Sequence, residues 1–62
     1  MIEVRSQDIN ELELLVVLDQ LEKAGTKSAQ IYKGNGCIWV TSGVVNQYYI
    51  FRDGIHIDTQ VD

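Results

Sequence analysis

Two dipeptides constrain this chain more than any other feature. Asn35-Gly36 and Asp53-Gly54 are the residues that a two-residue hairpin turn selects, because both central positions of that turn need positive φ. Each stands between stretches of alternating polar and apolar residues, so each predicts two antiparallel strands in a fixed register. About Asn35-Gly36, Gly34 faces Cys37, Lys33 faces Ile38, Tyr32 faces Trp39 and Ile31 faces Val40. About Asp53-Gly54, Arg52 faces Ile55, Phe51 faces His56, Ile50 faces Ile57, Tyr49 faces Asp58 and Tyr48 faces Thr59. Ser42-Gly43 marks a third turn of weaker signal. The strands expected are Ala29 to Lys33, Cys37 to Thr41, Gln47 to Arg52 and Ile55 to Val61, with Ile2 to Arg5 a further strand near the N-terminus. Proline is missing from the sequence, so none of these is demoted to an edge on that ground.

Between the first strand and the hairpins the texture is helical. A helix is expected from about Asp8 to Ala24, with Asp8 or Ser6 as its cap, acids in the first turns, Lys23 in the last and Gly25 as the stop. At 100° per residue Leu14, Val17, Leu18, Leu21 and Ala24 form one stripe suited to a core. Ile9, Leu12, Leu15 and Val16 form a second stripe on another side. The run Leu14 to Leu18 has no polar residue, so the middle of the helix is expected to be covered on both sides. With 62 residues there is little of the chain left to do the covering, and a second subunit is the favoured source.

Alternation along the strands sorts the remaining side chains. Ile31, Ile38, Val40, Ile50, Ile55 and Ile57 are expected to face the helix. Tyr32, Trp39, Tyr49 and Phe51 collect on the opposite face, with His56 and Asp58 beside them. The weak joint is the connection from Val40 to Gln47. A two-residue Ser42-Gly43 loop moves Tyr49 and Phe51 to the helix side, whereas a three-residue or five-residue loop keeps them with Trp39.

Composition limits the function. Five Lys and Arg against nine Asp and Glu give a formal charge of −4, the wrong sign for gripping a phosphate backbone, so nucleic acid is an unfavoured partner. The longest apolar run has five residues, against roughly 20 for a spanning helix, so no membrane role is expected. One unpaired cysteine, Cys37, and an N-terminus without a leader pattern fit a cytoplasmic protein. One Cys and one His cannot supply a closed metal site, and no cofactor is expected. Gly34-Asn35-Gly36 lacks the helix and the lysine of a phosphate loop and reads as a turn. A Cys37, His56 and Asp58 set can be drawn on one nominal face, but a flat sheet offers no pocket to exclude water, so a non-enzyme is expected.

The residues carry no family motif. The fold expected is α+β: a strand, a helix, then an antiparallel meander of three or four strands, all in one domain with the helix on one sheet face. The function expected is a non-enzymatic protein-binding module, a homodimer or larger homo-oligomer that regulates or inhibits a larger protein whose identity the sequence does not give. Small phage-encoded accessory proteins that disable host enzymes supply the general precedent. The surfaces expected to meet a partner or a second copy are Tyr32, Trp39, Tyr49, Phe51 and His56 on the sheet, and Leu12, Leu15 and Val16 on the helix. The alternatives are an acidic mimic of nucleic acid built on Glu11, Asp19 and Glu22 of the helix with Asp53, Asp58 and Asp62 near the C-terminus, and single-strand binding by aromatic stacking, for which Lys33 and Arg52 are the only cations expected near the rings.

Overall fold

The computed structural model describes all 62 residues, Met1 to Asp62. Its elements are β1 (Ile2–Val4), α1 (Glu11–Lys23), β2 (Ala29–Gly34), β3 (Cys37–Ser42), β4 (Val45–Arg52) and β5 (Ile55–Val61). The strands form one five-stranded mixed sheet in sequence order. β1 runs parallel to β2, with Ile2 beside Ala29 and Val4 beside Ile31, and α1 supplies the crossover that a parallel pair requires. From β2 onward the sheet is an antiparallel meander. The α+β layout of strand, helix and meander is therefore present, with the meander made of four strands.

The helix is shorter at its start than its sequence pattern suggests. Asn10 is the N-cap: its side chain accepts from the amides of Leu12 at 2.9 Å and Glu13 at 3.2 Å. Asp8 and Ser6 do not cap it. Ser6 instead takes the Lys33 amide on its hydroxyl at 2.9 Å, tying the chain after β1 to β2. At the other end Gly25, with φ of +75°, lets its own amide bond Glu22 at 3.0 Å and the Thr26 amide reach back to Leu21 at 2.9 Å. This is the paired closure that a glycine after the last helical turn permits.

Both dipeptide turns form as expected. Asn35 and Gly36 have φ of 52° and 75°, Asp53 and Gly54 have 53° and 80°, and the register around Asn35-Gly36 pairs Tyr32 with Trp39 and Ile31 with Val40. The third turn is made by Gly43 and Val44, with Ser42 opposite Val45. Only Gly43 has positive φ there, at 62°, so the turn needs a single glycine at its first central position.

That turn decides the core. Seven residues are buried: Val17 and Leu21 of the helix, Ala29, Ile31, Ile38 and Val40 of β2 and β3, and Tyr49 of β4. Ile2, Ile9, Leu14, Leu18 and Phe51 pack against them. Ile38 stands opposite Tyr49, so Tyr49 and Phe51 face the helix, not the opposite side. The expected partition is reversed for β4 because a two-residue loop, shifted by one residue to Gly43-Val44, fixes the parity that a longer loop would have inverted.

β5 departs from its expected register as well. Arg52 pairs with Ile55 and Phe51 with His56, but Ile50 pairs with Asp58, Tyr49 with Thr59 and Tyr48 with Gln60, leaving Ile57 as the extra residue of a β-bulge. Ile50 and Ile55 therefore lie on the side away from the helix, and Ile57 at the bulge is 51% exposed, so none of the three joins the core as expected.

Candidate functional site

The sheet has one face covered by α1 and one open face. On the open face, strand alternation and the cross-strand pairs bring Tyr32 of β2, Trp39 of β3 and Tyr48 of β4 into one row. Adjacent strands lie about 4.8 Å apart, so large rings on neighbouring strands must touch. The Tyr32 and Trp39 rings are 6.4 Å apart and within 11° of parallel, and the Trp39 and Tyr48 rings are 4.7 Å apart at 35°. The row continues on β5, where Gln60 accepts the Tyr48 hydroxyl at 2.7 Å. Next to it stand Ile50 and, beyond, Ile55, which is 67% exposed.

Trp39 is held in place from below. Its indole nitrogen donates to the Gly34 carbonyl at 3.0 Å. The same ring edge lies 3.6 Å from where a Gly34 side chain would begin, so the indole leans over the glycine as it reaches that carbonyl. A buried or half-buried indole needs a partner for its one donor. Here the sheet backbone provides it, leaving the rest of the ring to its neighbours.

A second constellation surrounds the bulge. The His56 ring lies on the helix side, 5.3 Å from Tyr49 and 5.4 Å from Phe51. Its Nε2 is 3.0 Å from the Asp58 carbonyl oxygen and 2.7 Å from the Thr59 hydroxyl. A carbonyl only accepts, so the contact with Asp58 requires a proton on Nε2. The Asp58 carboxylate is turned elsewhere: Oδ1 accepts the Thr59 amide at 2.8 Å and Oδ2 the Gln60 side-chain amide at 3.1 Å. A chain of hydrogen bonds thus runs from Tyr48 through Gln60 and Asp58 to Thr59 and the bulge.

The expected residues divide accordingly. Tyr32 and Trp39 are together on the open face. Tyr49 is buried at 4% exposure, and Phe51 and His56 are half-buried on the helix side, so these three are not part of the open face. The sequence reading overlooked Tyr48 and Ile50 as members of that face, since the Val40 to Gln47 connection alone fixes their parity. Leu12 and Leu15 are 72% and 60% exposed on the outer side of α1, and Val16 is half-buried. The bulge carries Asp58 to the open face with Cys37, while His56 stays opposite Phe51 on the helix side, so Cys37, His56 and Asp58 do not converge. Of the two cations expected near the rings, Arg52 is on the open side and Lys33, opposite Ile38, is on the helix side.

The surface has no pocket, and no group of three or more metal-ligating side chains lies together. No helix is long and apolar enough to cross a membrane. Burial pushes the Tyr49 phenol above its usual range. Together the fold and the site define a small α+β domain with one helix-covered sheet face and one aromatic face open to contact. Comparison with protein-family models, with curated proteins and with solved structures gives no match.

Proposed function

We propose that this chain is a non-enzymatic protein-binding module, working in the cytoplasm as a homodimer or larger assembly and regulating or inhibiting a larger protein. The observation that carries the reading is the imbalance of apolar surface. Seven residues form the buried core, while ten large hydrophobic residues, among them Leu12, Leu15, Tyr32, Ile55 and Val61, are exposed. Single exposed hydrophobic residues are ordinary, but a contiguous set of rings on an open sheet face is the kind of surface that partners cover. Aromatic residues supply large contact area at small entropic cost, which is why they dominate binding energetics.

Two measurements test it. Sedimentation of the purified chain at micromolar concentration should report an assembly heavier than the 7.0 kDa protomer. Wild type and Trp39→Ala used as paired baits in a cell lysate should differ in one or a few retained proteins. A folded solitary protomer whose two baits retain the same proteins overturns the proposal.

A second reading is an acidic mimic that occupies a nucleic-acid-binding protein. Glu11, Asp19 and Glu22 are exposed on α1, although Asp19 is paired with Lys23 at 3.0 Å. Its mark is a retained partner that itself binds nucleic acid and is released steeply by salt.

A further inference from the structure

From the charge and size of each exposed surface, we infer that the second copy of this chain sits on the open aromatic face, the two sheets stacking face to face. This rests on the self-association in the proposed function and specifies where it occurs. Three other surfaces compete, and each is disfavoured on physical grounds. The outer side of α1 presents Leu12 and Leu15 among acids, with four carboxylates and one lysine along the helix. In an antiparallel twofold contact, setting Leu15 against its own copy aligns Glu11 with Asp19. A parallel contact brings each acid near itself. Like charges so placed oppose association, and burial strengthens the opposition. Thirteen helical residues also offer a strip only about 20 Å by 10 Å, or roughly 200 Å², far below the ~800 Å² per partner of a standard interface.

The β5 edge is guarded too. A twofold strand pairing centred on Gln60 sets Asp58 opposite Asp62, and one centred on Asp58 sets it against itself. Centring on Thr59 runs into the bulge at Ile57. Bulges and charged residues are the devices that keep edge strands from pairing. The opposite edge, β1, has three residues.

The open face has neither defect. Its middle is uncharged, with Tyr32, Trp39, Cys37, Tyr48 and Ile50, and its charges stand at the rim: Glu3 beside Arg5 at one edge, Asp58 at the other and Arg52 at a corner. An apolar centre with a polar rim is the anatomy of a protein interface. Five strands spaced about 4.8 Å apart and averaging about 20 Å in length, with β1 the shortest, give a planar footprint of roughly 500 Å². Side-chain relief raises the accessible area of either surface above its planar footprint, and the sheet, with more than twice the helix strip, is the one that approaches the standard value.

Cys37 gives the test its readout, because it lies on the middle strand of this face and stacked sheets are about 10 Å apart. A short bismaleimide should join Cys37 of one wild-type copy to Cys37 of the other at micromolar concentration. Tyr32→Asp should abolish the linked product and raise the dimer dissociation constant by about tenfold or more, with circular dichroism unchanged. Leu15→Asp should leave both the linked product and the sedimentation dimer as in wild type. A wild-type dimer that gives no linked product, or that Leu15→Asp dissociates, overturns this placement and leaves self-association standing. A wild-type monomer overturns self-association and the placement together.

Discussion

The indole nitrogen of Trp39 donates to the carbonyl of Gly34 at 3.0 Å, so the largest side chain of the open face is bonded to the strand beside it. The contact holds the ring between Tyr32 and Tyr48 and makes the row a fixed shape instead of a set of free rotors. Trp39→Phe keeps a ring and removes the donor. Stability should fall by about 1 kcal/mol, the net worth of one hydrogen bond, as read by urea denaturation, and no change would mean that the bond is not maintained in solution.

Two adjacent tyrosines report the sheet register. Tyr49 is buried against the helix and Tyr48 is half-buried on the open face. Tyr49→Ala should cost about 3–5 kcal/mol, the usual range for truncating a large core ring, enough to unfold most of a domain this small. Tyr48→Ala should cost less and leave a folded chain. The reverse order in thermal melts would place β4 one residue out of register.

The helix is capped by Asn10, where the sequence pattern pointed to Asp8 or Ser6. Asn10→Ala removes the side chain that holds two orphan amides and should destabilise by about 1 kcal/mol. Asp8→Ala should fall within about 0.5 kcal/mol of wild type. Equal losses in the two variants would contradict the observed helix start.

Tyr49 links stability to alkaline pH. Burial disfavours its phenolate, so the folded-state pKa lies above the unfolded value near 10. The contribution of this group to stability is full below the unfolded pKa and is lost as pH rises through the folded one, because the unfolded chain gives up the proton first. The loss proceeds at up to about 1.4 kcal/mol per pH unit. Urea midpoints of wild type and Tyr49→Phe should agree in trend up to about pH 9 and separate above it, wild type falling faster. Identical alkaline slopes would remove Tyr49 as the cause.

Asn35-Gly36 and Asp53-Gly54, the glycine after the helix and the apolar spacing of Leu14, Val17, Leu18 and Leu21 were enough to place the helix, the two dipeptide hairpins and the register of the first. These are local matters: positive φ, a missing Cβ and helical periodicity act over a few residues and leave their mark in the sequence. The choice between Tyr48 and Tyr49 for the open face was not local. It turned on whether the loop after β3 held two residues or three or five, and the candidate residues at that turn are compatible with more than one reversal. The packing of Tyr49 and Phe51 under the helix accompanies one parity, and the placing of Ile50 and Ile55 on the open face follows from it. The bulge at Ile57 is likewise a property of two strands together, since neither strand alone states how many residues face one partner. Sequence thus determined where the chain turns and what each segment becomes, and only the assembled sheet decided which side of each strand meets the helix, because alternation with a period of two converts a one-residue shift into an exchange of faces.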